Sequence, residues 1–319
     1  MVQKLKQKVM DGKEITKEEA MTLAEADLDE LCQAADEIRK HFCGNVFDIC
    51  SCINVKGGKC SEDCKFCPQS CFNDKVEVKP HTLIGSDQML EEAAYMAQKG
   101  VVRCDLVSSG RRLPKDDVRK IVQDIERIRK ETGIAVCCSF GLLDQEDCEM
   151  LRKAGITRLH NNLESSRTFF TGVCSSHSTD DKMATLRAAR AAGLTLCSGC
   201  LINLGESMED RIELALMELG VKSIPVNVLN PIKDSPFEDR KPMTNEEFCR
   251  TVAVFRFLLP DASIRLAAGR IYLADHGKRA LSSGANAAIT GDFLMTGGMS
   301  IDSDMAMAKE LGYKPGLWK

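Results

Sequence analysis

Residues 134–163 read IAVCCSFGLLDQEDCEMLRKAGITRLHNNL: a short apolar run, a stretch with apolar residues at helical spacing closed by Gly155, and a second short apolar run. Two strand-like segments joined through a helix-like one form a crossover unit, and a crossover makes the strands parallel. The same beat extends outward in both directions. Upstream lie VFDICSCIN (46–54) and VVRCDLVSS (101–109); downstream lie LTLCSGCLI (194–202), VKSIPVNVL (221–229), ASIRLAA (262–268) and ANAAIT (285–290). Helix-like segments fill the intervals: SDQMLEEAAYMAQKG (86–100), PKDDVRKIVQDIERIRKETG (114–133), DDKMATLRAARAAG (180–193), SMEDRIELALMELG (207–220) and NEEFCRTVAVFRFLL (245–259). Eight strand candidates in this rhythm predict an α/β fold, a (β/α)8 TIM-type barrel over residues 41–319, with its chemistry on the loops after the strands. Residues 1–40 have a helical period, with Thr16 placed as a cap before Glu18 and Glu19, and predict a helical extension ahead of the barrel.

With 44% hydrophobic and 28% charged residues the chain can bury a large core. Its net charge of -4 gives no support for nucleic-acid binding, and no window approaches a membrane span. The N-terminal segment lacks the apolar centre of a secretory signal, which places the protein in the cytoplasm. Sixteen cysteines stand against five histidines, three tyrosines and one tryptophan, so the compositional bias is specific to sulfur. In a reducing compartment such cysteines mark metal or catalytic sites more often than disulfides.

After the first strand comes KCSEDCKFCPQS (59–70), which places Cys60, Cys64 and Cys67 in a polar loop. Thiolates hold Fe-S clusters, and three of them leave one iron of a four-iron cluster open. Structural zinc is the alternative, but it wants four closed ligands, and no second short cysteine pair follows at zinc-ribbon spacing. A noncatalytic metal-binding protein remains a second reading, although it has no need of an open coordination position.

C-x3-C-x2-C after the first strand of such a barrel resembles the radical S-adenosylmethionine (SAM) superfamily. The wider pattern resembles the biotin synthase family within it, from about residue 40 to 315. That pattern comprises NVKGGKCSEDCKFCPQS, RLHNNLESS, LCSGCLINLGES, VKSIPVNVLNPIKDSPFED, SIRLAAGR and SGANAAITGDFLMTGG. The resemblance implies SAM chelated to the open iron of a [4Fe-4S] cluster, reductive release of a 5′-deoxyadenosyl radical, and sulfur insertion between C6 and C9 of dethiobiotin. It implies cofactor-binding roles for Phe66 near the adenine, Ser108 and Ser109 near the methionine moiety, Asn162 near both SAM and dethiobiotin, Glu164 near the ribose where the family usually has Asp, and Leu201. Substrate-binding roles fall to His160, Asn162 and Asn227. On residues alone, Ser108 and Ser109 are also ordinary turn residues, and Asn227 also reads as a turn cap. His160, Asn162 and Glu164 share one face if the strand alternation runs through them.

The resemblance further implies an auxiliary Fe-S cluster inside the barrel, with Cys137, Cys197 and Arg265 among its ligands. Arg265 alternatively forms a salt bridge to a barrel carboxylate. The chain departs from the family at the third cysteine, where Asp105 stands and Cys104 lies one residue earlier, a step that turns a side chain to the opposite face. Cys174 is the first replacement expected, then Cys200 and Cys104, and a mostly thiolate set would suit either a [2Fe-2S] cluster or a four-iron cluster with extra sulfide. Cys50 and Cys52 read as strand packing residues. Expected partners are dethiobiotin, a reductant such as flavodoxin or ferredoxin, the Fe-S assembly machinery and a second subunit in a homodimer. Another radical SAM enzyme on the same barrel, such as a hydrogenase maturase, is the nearest competing reading. Lipoyl synthase would require a second cysteine triplet near the N-terminus.

Overall fold

The computed structural model describes residues 1–217 and 220–318. Three helices come first, α1 (Val2–Met10), α2 (Lys17–Ala24) and α3 (Leu28–Cys43). Thr16 caps α2 in a reciprocal box with Glu19, each side chain taking the other's backbone N–H. The strands are β1 (Val46–Lys56), β2 (Arg103–Ser108), β3 (Ala135–Ser139), β4 (Arg158–His160), β5 (Thr195–Cys197), β6 (Cys200–Ile202), β7 (Ser223–Val228), β8 (Ser263–Leu266), β9 (Ala287–Thr290) and β10 (Lys314–Pro315). Outer helices alternate with them: α4 (Ser86–Gln98), α5 (Lys115–Thr132), α6 (Gln145–Lys153), α7 (Arg167–Phe170), α8 (Thr179–Ala191), α9 (Met208–Met217), α10 (Asn245–Leu258), α11 (Lys278–Leu281) and α12 (Ile301–Glu310). The last part of the expected helix 207–220 includes residues 218 and 219, which lie outside the described residues.

Parallel pairing runs β1-β2-β3-β4-β5-β7-β8-β9, and β9 returns to β1, so the sheet closes as a barrel and leaves no edge among these strands. The expected single strand 194–202 is divided into β5 and β6. Both halves face β7 in one register, Cys197 against Ser223 and Cys200 against Val226. The ladder lapses where Pro225 has no N–H to give, and Gly199 is the residue opposite, because a Cβ there would lie 2.1 Å from the Pro225 carbonyl oxygen.

Side chains alternate strictly between the helix layer and the barrel interior. Ile49, Ile53, Leu106, Val136, Leu159, Ile224, Val226, Ile264 and Ala288 point outward into the main apolar core. The interior face is polar at its lower end. Asp48, wholly buried on β1, meets three buried guanidiniums: Arg265 at 3.0 Å, Arg158 at 3.4 Å and Arg103 at 3.5 Å. The C-terminal tail closes this end, since β10 pairs with β1, the Trp318 amide donates to Asp48 at 3.2 Å, and its carbonyl accepts from Arg158 at 3.1 Å.

Candidate functional site

Above that charged floor lies a layer of thiols. Parity on β1 sends Cys50 and Cys52 inward with Asp48, while Cys137 on β3 and Cys197 on β5 point to the same space. Cys50, Cys137, Cys197, Asp105, His160 and Arg265 surround one inner cavity. Donation from Cys137 pulls the Cys50 thiol down against the effect of burial, with Arg265 and Arg103 assisting; burial, reinforced by the Cys50 contact, pushes Cys137 up. Ser223 Oγ joins Cys197 at 3.1 Å to the Arg265 Nε at 3.2 Å. Arg265 also donates to the carbonyls of Asp48 and Ala288, so the carboxylate pairing foreseen as its alternative role is present. The inner charges do not balance: three guanidiniums face two carboxylates, Asp48 and Asp105.

The three replacement candidates for the auxiliary set all lie away from the inner cavity. Cys104 is fully buried in the outward-facing core, because it sits one step from Asp105 on a regular strand without a bulge at that point. Cys200 belongs to the same core for the same reason, three steps past the inward Cys197. Cys174 is not in the barrel at all. It lies on the loop after α7, its Sγ 3.6 Å from Cys64 Sγ. Cys50, read from sequence as packing, takes its place beside Cys137; the inward parity it shares with Asp48 and Cys52 was the available signal.

The upper cleft opens at the C-terminal ends of the strands. Cys52, Phe66, Cys67, Asp105, His160 and Asn227 line it, and so does the turn 293–296 after β9. That turn lies in the quoted SGANAAITGDFLMTGG, but the sequence reading gives Phe293, Leu294 and Met295 no site role; an apolar trio followed by Gly297 and Gly298 is its signature. Gly298 is required there, since a Cβ would meet the Gly291 carbonyl oxygen at 2.1 Å. Phe66 and Leu201 meet in a small apolar cluster with Val173, Leu204 and Leu229 at the rim.

A hydrogen-bonded chain crosses the cleft. His160 lies 3.1 Å from Asp105 through Nδ1 and 2.9 Å from Asn162 Oδ1 through Nε2. Burial disfavours the imidazolium, but the nearby Cys197 and Asp105 outweigh it and raise His160 to about 10. Asn162 continues to Glu164, whose carboxyl burial pushes up. The three residues are linked, but not by strand alternation as expected: β4 ends at His160, and Glu164 takes a left-handed φ of 73°. Backbone bonds hold it there, from Glu164 N–H to Gly199 at 3.0 Å and from Leu201 N–H to Glu164 at 2.9 Å. Asn227 gives one N–H to the Cys200 carbonyl at 3.0 Å and accepts the Ala268 amide at 3.1 Å, which leaves one donor and one lone pair for a ligand. Ser109 spends both its amide and its hydroxyl on the Lys56 carbonyl, whereas the buried Ser108 hydroxyl has no partner among the described residues.

Cys60, Cys64 and Cys67 share the loop after β1. Burial raises Cys60 and pushes Cys67 up to about 11, while the bond to Cys174, with burial, drives Cys64 far above the ordinary thiol range. The loop is clamped from outside. Asp63 accepts from the amides of Ser175 and Ser176 at 2.9 Å each, and Glu62 accepts from Arg111 at 3.0 Å and Ser176 Oγ at 2.9 Å.

Comparison with known proteins matches the radical SAM superfamily over residues 54–217 and the Biotin and Thiamin Synthesis associated domain over residues 225–314. A biotin synthase of Brachyspira hyodysenteriae is 49% identical over 312 residues, covering 97% of this chain and 93% of that one. Biotin synthase 2 of Corynebacterium diphtheriae is 51% identical over 314 residues, covering 98% and 95%. Among solved structures, methylornithine synthase superimposes with a TM-score of 0.82 at 22% identity, covering 98% of each chain, a likeness of fold.

Proposed function

The chain belongs to the biotin synthase family of radical SAM enzymes, and from that membership we propose how its own residues insert sulfur into dethiobiotin. A [4Fe-4S] cluster with SAM supplies the 5′-deoxyadenosyl radical, and a second, auxiliary Fe-S cluster supplies the sulfur. The observation that carries the reading is that Asp105 and His160 line both the upper cleft and the inner cavity. A substrate in that space has the loop triplet above it and the thiol layer below.

The donor sets suit both groups. Cys60, Cys64 and Cys67 hold the SAM cluster and leave one iron for the cofactor. Phe66 and Leu201 offer an apolar rim for adenine, Glu164 and Asn162 the polar groups for ribose, and Ser108 and Ser109 the approach for the methionine end. Asn227 offers a donor and an acceptor that match the ureido ring, and His160 and Asn162 hold the substrate from the opposite wall. Inside, Cys50, Cys137 and Cys197 hold the auxiliary cluster, with Arg265 beside it, paired to Asp48. The excess of buried guanidinium charge favours an anionic thiolate-bound group there, since unpaired buried charge is costly. The all-thiol character leaves room for either a [2Fe-2S] or a four-iron cluster.

The closed interior keeps water from the reacting carbons. The protein's part is orientation and shielding, and the cofactors carry the chemistry. Residues 1–40 then serve as a helical extension and 41–319 as the catalytic barrel. Flavodoxin or ferredoxin as reductant, the Fe-S assembly machinery as source of clusters, a homodimer and a cytoplasmic setting complete the reading; among the described residues no helix is long and apolar enough to cross a membrane.

Anaerobic reconstitution followed by turnover with SAM, reductant and dethiobiotin tests it. Biotin and 5′-deoxyadenosine should appear together, with more iron than the loop triplet alone can bind. No cleavage of SAM under reduction would refute the assignment, and cleavage without biotin would refute the placement of substrate and auxiliary cluster.

A further inference from the structure

The loop that carries Cys174 does more than brace its neighbour. Cys64 Sγ, Cys174 Sγ and a ring nitrogen of His177 lie within 4.8 Å of one another. Cys174 is 3.6 Å from Cys64, 3.3 Å from His177 Nδ1 and 3.9 Å from His177 Nε2. A tetrahedral zinc ion with bonds of about 2.3 Å to sulfur and about 2.0–2.1 Å to nitrogen sets its ligands roughly 3.8 Å apart for two sulfurs and roughly 3.6 Å for sulfur and nitrogen. The Cys64–Cys174 and Cys174–Nε2 separations, 3.6 Å and 3.9 Å, stand within a few tenths of an ångström of what one ion requires. By contrast, Cys60, Cys64 and Cys67 do not converge in this way.

The surroundings are those of a metal ligand set as well. Glu62 takes His177 Nδ1 at 2.7 Å, which fixes the ring and leaves Nε2 as the coordinating atom, the carboxylate–histidine arrangement found behind metal-bound imidazoles. His177 also rests on the Phe170 ring, centroids 5.6 Å apart. Cys174 is 4% exposed, and the Lys65 amide bonds the Val173 carbonyl at 3.1 Å, so the two loops are held together whether or not an ion is bound.

We propose that Cys64, Cys174 and His177 form a mononuclear site for a divalent thiophilic cation of the zinc class, with a water as fourth ligand. Both thiols release their protons to solvent on binding. Cys64 cannot serve this ion and the SAM cluster together, so the filled site blocks cluster assembly at the triplet. Only that consequence rests on the proposed function; the binding itself does not.

The probe is Co2+, titrated into the reduced, iron-free full-length chain, with folding checked by circular dichroism. One equivalent should bind with thiolate-to-cobalt charge-transfer absorption, and Zn2+ should displace it. Cys174→Ser, which keeps a hydroxyl for the contacts with Asp63 and Ser176, and His177→Ala should each weaken binding by about tenfold or more, while Cys60→Ala and Cys67→Ala should not. Preloaded Zn2+ should suppress iron uptake at the triplet in the unaltered chain but not in Cys174→Ser. Wild-type affinity in Cys174→Ser and His177→Ala, or loss of the cobalt spectrum in Cys60→Ala, would overturn the site and assign the ion to the triplet instead. A chain that binds cobalt as described yet never cleaves SAM would overturn the enzymatic reading and leave this one standing.

Discussion

Asp48 is shared among three buried guanidiniums, and replacing it with asparagine gives a quantitative test of how the barrel floor is held. The carboxylate is wholly buried, three guanidiniums lie within 3.5 Å of it, and each of those arginines is nearly inaccessible. Asparagine preserves the shape and can still accept the Trp318 amide, so the loss is mainly one of charge. Breaking a buried ion pair from one side costs about 3–5 kcal/mol, because the partners stay behind unpaired. For a chain of 319 residues the unfolding entropy is about 0.7 kcal/mol per degree, so the melting temperature should fall by about 4–7 °C. Burial opposes the ionised form, but Arg265, Arg103 and Arg158 together depress the Asp48 carboxyl well below its ordinary range. A depressed carboxyl stabilises the fold fully above its unfolded value of about 3.9, and the benefit disappears as pH falls toward the folded value. The difference between the unaltered chain and Asp48→Asn should accordingly be constant from about pH 5 to 8 and shrink in stronger acid. Anaerobic scanning calorimetry at a fixed rate measures it, with the exposed pair Lys99–Asp302 as control; Asp302→Asn should leave the melting point unchanged. If Asp48→Asn melts within a degree of the unaltered chain at pH 7, the floor is not held by this carboxylate.

Cys50→Ser should lower iron in the inner cavity and abolish biotin formation while SAM cleavage persists; unchanged iron and sulfide counts would remove Cys50 from the inner set. Cys174→Ala should leave the inner iron intact, as Mössbauer spectra of the reconstituted chain would show, and a loss there would contradict its position against Cys64. Asn227→Ala should raise KM for dethiobiotin and also destabilise by about 1–3 kcal/mol, since it strands the Ala268 amide; a normal KM would separate Asn227 from the substrate. Asp105→Asn should weaken the hold on His160 and bring its raised pKa down, which nitrogen chemical shifts of the ring would reveal; an imidazolium persisting unchanged at pH 8 would assign the shift elsewhere.

The barrel is legible because its eight strand segments and the longer helices between them carry local patterns, down to the cap at Thr16, whereas α7, α11, α12, β10 and the break between β5 and β6 have no counterpart among those patterns. The direction of Asp105 and Cys104 was legible too, because parity on a regular strand leaves no freedom. Cys50 obeys the same parity, yet its role depends on what stands opposite, and Cys137 lies on another strand far along the chain. The Asp48 cluster joins residues 55, 110 and 217 positions apart, beyond the reach of any window. The position of Cys174 against Cys64 was not legible, because the loop after β4 folds over its neighbour, a choice made by the contacts of Asp63 and Glu62 and not by its own pattern. Glu164 shows the same limit: its left-handed backbone is set by Gly199 and Leu201 on the next strand.

The tail that ties Trp318 to Asp48 covers the lower end, and among the described residues the inner thiols adjoin the upper cleft past Asp105 and His160. If dethiobiotin takes the upper cleft, as proposed, whatever the inner thiols hold is exchanged past the substrate's own position. On that placement refilling and catalysis take turns, and a resident product or substrate delays the repair that prepares the next round.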